Sequence, residues 1–364
     1  MPDVHARRRG LLPAAVEEAG ADAALITRLV NVRYLTGLDS SNAALLVAHD
    51  GTAVLATDSR YVTAAAEVAP DLETVQARQV AAELAKRAAA AGPVRLAVEE
   101  HDVTLAAAEA ITRAAETAEL VHLNRAVERL RVRKDDGELA LIREACAISC
   151  RALEDLLAAG GLLGRRERDI ARDLEARMYD HGADGLAFET IVAAGPNSAI
   201  PHHRAADRRV ERGDLLKIDF GARVGGYHAD CTRTMVVGAA PADWQREIYE
   251  TVAEAQRAGR DAALAGAECT AVDGAARDVI KAAGYGENFG HGTGHGVGLE
   301  VHEAPTIGYS AAGTLESRTP VTVEPGIYLP GRGGVRIEDT VVVRDDGGPE
   351  LLTTTTRDLL VLDA

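Results

Sequence analysis

The chain has 364 residues, 47% of them hydrophobic, enough to bury a large core and to fill two domains. Its net charge of −16 argues against a nucleic acid or an anionic membrane as partner and favours a small molecule or peptide. Its four cysteines, Cys146, Cys150, Cys231 and Cys269, form no Cys-x-x-Cys pair, so reduced thiols in a cytoplasm are expected.

In chain order, Arg7-Arg8-Arg9 is followed by an apolar stretch interrupted by Glu17 and Glu18, which predicts an amphipathic helix over 7–19 and no signal peptide. No charge-free apolar run of about 18 residues predicts a membrane span. Residues 24–27 read as a strand, and 42–48 with 53–56 as a hairpin around Asp50-Gly51. The Ala-rich stretches 62–69 and 81–91 read as helices, 95–98 as a short strand and 106–116 as a helix. This predicts an α/β domain over residues 1–130 without a Gly-rich phosphate loop.

Arg131-Val-Arg-Lys134 reads as a charged hinge, with Asp136 as N-cap of a helix over 138–158 marked by Ile142, Cys146, Leu153 and Leu157. Further helices are predicted over 167–180, 243–265 and 271–283, with a strand over 190–194. Residues 215–220 and 227–237 read as paired strands around Gly225-Gly226. Each carries an Asp, Asp219 or Asp230, among apolar residues, where an unpaired buried carboxylate would cost several kcal/mol. Two such positions could converge on one cation; equally, both could face solvent or pair with Arg223 and Arg233. Cys231, beside Asp230, should turn to the opposite face and pack.

Three later stretches add to this pair. His291-Gly-Thr-Gly-His295 begins a run with three histidines among glycines; Val321-Thr-Val-Glu324 ends a strand on a carboxylate; Glu338 interrupts the β-branched run 335–343. Imidazole is the commonest metal ligand, and glycine lets backbone approach closely.

The series Asp219, Asp230, His295, Glu324, Glu338 resembles the active site of the methionine aminopeptidase, creatinase and proline-peptidase superfamily, with its pita-bread fold. The resemblance is nearest to the Xaa-Pro aminopeptidases and Xaa-Pro dipeptidases and runs over nearly the whole chain. Asn31-Val-Arg-Tyr-Leu-Thr-Gly37 and Asp58-Ser-Arg-Tyr61 resemble the amino-terminal domain of the creatinase and proline-peptidase branch, which methionine aminopeptidases lack. The resemblance implies an α/β (α+β) chain: a creatinase-like amino-terminal domain over 1–130, then a pita-bread catalytic domain over 131–364. Asp219, Asp230, His295, Glu324 and Glu338 would hold two divalent metals, Asp230 and Glu338 bridging them.

Charge arithmetic agrees: four carboxylates and a neutral imidazole carry about −4, which two divalent cations neutralise. Oxygen-rich ligation with one His suits Mn²⁺ or Co²⁺ better than Zn²⁺. By resemblance, His202 and His302 would steady the scissile carbonyl, His291 would stand near the substrate pocket, and Glu324 would carry a proton to the leaving nitrogen. A hydroxide shared by the metals would be the nucleophile. Arg336, two residues before Glu338, should share its strand face and orient carboxylates. His203 is a rival to His202; Tyr227 and Tyr328 could line the pocket or support ligands, but read first as core packing. The implied substrate is a peptide with proline second, and the implied assembly a homodimer. The leading reading is an Xaa-Pro aminopeptidase, the alternative an Xaa-Pro dipeptidase. The latter needs an Arg for the free carboxylate, and in the segment before Glu324 only Arg318 is offered. A creatinase-type hydrolase would have lost ligands that are all present here, and a non-catalytic scaffold would show a degraded set and basic tails.

Overall fold

The structure is a computed structural model describing residues 2–363; the chain divides into two units, residues 1–131 and 132–364. In the first unit, β1 (Ala23–Ile26), β2 (Ala43–Ala48), β3 (Ala53–Thr57), β4 (Glu73–Gln76), β5 (Val94–Val98) and β6 (Ala118–His122) form one sheet in the order β4-β3-β2-β1-β5-β6. The β2–β3 hairpin is the one read around Asp50-Gly51, with Gly51 at φ +86°. Leu25, Leu46 and Leu96 from the sheet pack with Leu84 and Ile111 from helices Val80–Ala88 and Leu105–Ala114.

Two differences from expectation have local causes. The helix read over 7–19 is two helices, Pro2–Arg9 and Leu12–Glu18, because Pro13 has no N–H to continue a helix but is tolerated in a first turn. Strands β4 and β6 lie at the two edges of the sheet and expose Glu73, Gln76, Glu119 and His122, so no apolar run announces them.

In the second unit the long helix is Asp136–Ala159, and its cap is Asp135 rather than Asp136. The Asp135 side chain accepts from Glu138 N while the Glu138 carboxylate accepts from Asp135 N, a reciprocal capping box. β7 (Gly185–Leu186), β8 (Ile191–Ala194), β9 (Leu215–Phe220), β10 (Ala222–Val224), β11 (Tyr227–His228) and β12 (Cys231–Val237) come next. They are followed by β13 (Gly294–Gly296), β14 (Glu303–Ile307), β15 (Pro320–Val323), β16 (Gly326–Leu329), β17 (Gly333–Arg336), β18 (Asp339–Val342), β19 (Glu350–Leu351) and β20 (Val361–Leu362). One sheet runs β20-β12-β9-β8 and a second β14-β13-β15-β18-β19. Glu338 N donates to Thr232 O at 3.1 Å and ties β12 to the chain entering β18.

The strand expected over 227–237 is broken at Ala229-Asp230. Tyr227–His228 pairs with Ala222–Val224, whereas Cys231–Val237 pairs with Leu215–Phe220. The backbones meet so closely here that a Cβ on Gly221 would lie 1.9 Å from the Ala229 carbonyl oxygen. Asp230 therefore sits where the chain leaves one sheet for another.

Helices Asp136–Ala159 and Glu167–Asp180 bury Leu153, Leu156, Ile170 and Leu174 against Leu216, Ile218 and Phe220 of β9. Each such side chain contributes roughly 1.5–3 kcal/mol by leaving water. Helices Asp243–Ala262 and Cys269–Ala282 do the same with Ile248, Val252 and Ile280 against Ile327, Val335 and Ile337. All four cysteines are free and buried, and Cys231 packs in the first of these cores.

Candidate active site

Between the sheets of the second unit lies a cavity of about 300 Å³ lined by Asp219, Asp230, His295, Glu324 and Glu338, with His202, His203, His302, Arg204 and Arg336 around them. All five expected metal ligands meet there. Ligand atoms of Asp230, His295 and Glu338 lie within 4.8 Å of one another. His295 Nε2 is 3.7 Å from Asp230 Oδ2 and 3.3 Å from Glu324 Oε1.

The Gly-rich stretch explains how His295 arrives. Its strand is wedged between neighbours: a Cβ on Gly294 would come within 1.9 Å of the Thr322 carbonyl, and one on Gly296 within 2.2 Å of the Ala304 carbonyl. Only glycine fits at those two places. His295 Nδ1 lies 3.1 Å from the Gly296 carbonyl, which can only accept, so Nδ1 carries the hydrogen and Nε2 faces the carboxylates.

Arg336 orients the acids. Its Nη2 donates to Asp219 Oδ2 at 2.5 Å, and its Nε donates at 3.0 Å to Thr232 Oγ1, which in turn donates to Glu338 Oε2 at 2.6 Å. Its Nη1 donates to Tyr328 OH at 3.0 Å, and that hydroxyl lies 2.9 Å from His291 Nε2. His291 Nδ1 faces the Gly292 carbonyl, so Nε2 is the acceptor for the tyrosine proton. Tyr328, read from sequence first as packing and second as a supporting residue, takes the second part as the link between His291 and Arg336. His291 itself stands outside the cavity lining.

Burial, then the charges of Glu338, Asp219 and Glu324, drives the Asp230 carboxyl well above its usual range. Burial with Glu324 and Asp219 does the same to Glu338. Burial also raises Glu324, but the His295 hydrogen bond together with the charges of His295, His291 and Arg336 outweighs it and holds that carboxyl at about 2. Burial lowers His291 and His302, and pushes the Tyr328 hydroxyl up to about 12. Among the described residues, Asp219 Oδ1 is buried without a hydrogen-bond partner. Carboxylates that repel one another around an orphaned oxygen are the chemistry of a cation site, and divalent metals fit it.

The bland partners for the two aspartates are not used: Arg223 bonds Asp184 and Arg233 bonds Asp339. His203 is also accounted for, with Nε2 2.7 Å from the fully buried Glu167 carboxylate. His202 and His302 are exposed to the cavity, and the His302 ring packs edgewise on His295 at 4.3 Å between centroids. Tyr227 instead donates to Glu138. Arg318 donates to the Lys134 carbonyl and to Asp136, and does not line the cavity.

The sequence of residues 140–345 matches the model of metallopeptidase family M24, and residues 8–133 match the creatinase/prolidase N-terminal domain. The chain belongs to metallopeptidase family M24. This M24 chain is 38% identical to an uncharacterized peptidase of Bacillus subtilis over 95% of its own length and 97% of that relative's. It superposes on an Xaa-Pro dipeptidase from Bacillus anthracis with a TM-score of 0.93 at 38% identity, covering 98% of this chain and 100% of the other. An X-Pro aminopeptidase from Thermotoga maritima gives 0.88 at 37% identity, covering 97% and 99%. The M24 chain is therefore a creatinase-like N-terminal domain followed by a pita-bread catalytic domain. No helix among the described residues is long and apolar enough to cross a membrane.

Apart from Arg336, the supports are what sequence reasoning missed. Thr232 lies two positions beyond Asp230 in the stretch that reads as one strand, a spacing that could have pointed to it. Glu167 gave no signal, since an acid at a helix start reads as an ordinary first-turn residue.

Proposed function

We propose that this chain hydrolyses the Xaa-Pro bond at the amino terminus of peptides, as an Xaa-Pro aminopeptidase, with residues 1–130 and 131–364 as its two domains. The observation that carries the reading is the convergence of Asp219, Asp230, His295, Glu324 and Glu338 on one cavity in an M24 chain, with His202 and His302 at its open side.

Asp219, Asp230, His295, Glu324 and Glu338 would hold two divalent metals, Mn²⁺ by the donor set. Bound there, the metals supply an acidified water and polarise the scissile carbonyl. The protein does the rest. Arg336 and Thr232 fix the directions of Asp219 and Glu338, so the carboxylates need not reorganise during reaction. The His295 Nδ1 hydrogen bond leaves Nε2 available as a donor of its lone pair. Glu324 takes the proton lost by the attacking water and passes it to the proline nitrogen as the carbon–nitrogen bond breaks. His202 and His302 donate hydrogen bonds to the carbonyl oxygen as its negative charge grows. Phe188, Ile191 and Val301 give the cavity an apolar wall suited to a proline ring, which offers no N–H.

A dipeptidase is the second reading, favoured by the likeness to the Bacillus anthracis Xaa-Pro dipeptidase and by Arg204, an exposed guanidinium at the cavity edge that would have to exchange its bond to Glu189 for a free substrate carboxylate. The fuller picture is a cytoplasmic homodimer, consistent with four free cysteines. The deciding experiment gives metal-stripped, Mn²⁺-reloaded protein Ala-Pro and Ala-Pro-Ala-Ala. Metal-dependent release of alanine from the longer peptide is expected. Cleavage of Ala-Pro alone makes it a dipeptidase, and cleavage of neither with both metals bound rejects the proline specificity.

A further inference from the structure

Lys217 lies within β9 with no exposure at all, two residues before Asp219 and so on the same face of the strand. Burying an ammonium is unfavourable unless its hydrogens are used, so its partners reveal its task. Nζ donates to the Ile200 carbonyl at 2.7 Å and lies 3.3 Å from the Pro201 carbonyl. The Tyr328 ring stands 5.1 Å away, face towards the cation. These bonds go to the backbone of the loop that carries His202.

The Pro201 carbonyl, immediately before His202, also accepts from Arg336 Nη1 at 3.2 Å. On the other side of His202, the buried Glu167 carboxylate binds His203 Nε2 at 2.7 Å and accepts from Ala206 N at 3.0 Å. His202 is thus an exposed side chain on a loop pinned at both ends. Arg336 and Glu167 have other work, with Asp219 and with Ala194 N and Asn197. Among the described residues, the side-chain hydrogen bonds of Lys217 all go to this loop.

We propose that Lys217 is a positioning residue for His202: by clasping the Ile200 and Pro201 carbonyls it sets the direction in which that imidazole enters the cavity. The proposal rests on the peptidase reading only for the task it gives His202. Lys217→Met removes the donors at similar length, and Lys217→Gln keeps a shorter donor in case the first variant does not fold.

The first readout is trypsin nicking after Arg204, an exposed arginine two residues past His202, mapped by mass spectrometry well below the melting temperature. Loss of the clasp should speed the nick about tenfold, by local opening of the loop rather than global unfolding. The second is a double-mutant cycle with His202→Ala on Ala-Pro-Ala-Ala. Lys217→Met should lower kcat about tenfold with KM and metal content unchanged, and by less than about twofold once His202 is gone. Lys217→Gln should recover part of kcat. An unchanged nick rate, an equal loss in both backgrounds, or metal lost together with kcat would overturn the proposal. An inactive parent would sink the peptidase reading alone, because the nick rate still reports whether Lys217 holds the loop.

Discussion

Arg336 holds one oxygen of Asp219 at 2.5 Å, while the other, Oδ1, is buried and unpartnered among the described residues. A carboxylate gripped on one side and bare on the other is aimed at the cavity. Replacing Arg336 by Met should therefore weaken Mn²⁺ binding about 10–100-fold, the usual consequence of losing a group that orients a ligand. Isothermal titration of stripped protein checks this. Lys should restore little, because a point ammonium cannot serve Asp219, Thr232 and Tyr328 together.

The metal should also stabilise the fold. Burial and mutual repulsion raise Asp230 and Glu338 in the bare site, so a divalent cation relieves an unfavourable charge cluster. At metal concentrations about 100 times Kd, each site adds about 2.7 kcal/mol. Scanning calorimetry of EDTA-treated protein should show a lower melting temperature that Mn²⁺ restores. Asp219→Ala with Glu338→Ala should abolish that response. A melting temperature indifferent to Mn²⁺ in the parent would contradict the metal site.

What the sequence disclosed was the chemistry in order along the chain, because strand carboxylates and a His between glycines violate the local pattern. Asp219, Asp230, His295, Glu324 and Glu338 stood out for that reason and do meet around one cavity. Arg336 was legible beside Glu338, but other supports stayed hidden, because a buried Glu167 or Lys217 owes its place to contacts 36 and 17 residues away along the chain. The break at Ala229-Asp230 was also invisible: a residue-by-residue pattern shows continuous strand, and only the approach of Gly221 to Ala229 forces the chain to change sheets.

Asp339, next to Glu338, should prove a stability determinant. It is fully buried and accepts from Arg233 at 2.8 Å, Gln256 at 2.6 Å, Thr353 at 2.8 Å and Arg357 at 2.5 Å. Arg233 in turn donates to the carbonyls of Glu338, Thr355 and Thr356, stitching the C-terminal segment to β12 and β18. Asp339→Asn leaves a buried guanidinium without its counter-charge and should cost about 3–5 kcal/mol. Urea unfolding of the Mn²⁺-loaded protein measures it, and a loss below about 1 kcal/mol would show the network to be dispensable.

The first unit carries its own pH dependence, at Glu128. Burial raises this carboxyl, but hydrogen bonds from Asn31 and Arg28 and the neighbouring His101 outweigh burial and hold it at about 2, against an ordinary value of 4.5. The folded pKa is depressed, so its stabilisation is present above the unfolded pKa and is lost as pH falls from about 4.5 towards about 2, where the folded carboxyl finally protonates. The full shift corresponds to more than about 3 kcal/mol over that window, reduced to roughly 2–3 kcal/mol by solvent screening of a partly exposed group. Glu128→Gln removes the titration, so its melting temperature should fall less than the parent's between pH 5 and pH 3, although it starts lower. Parallel acid limbs in the two proteins would show that Glu128 does not govern the acid stability of this unit.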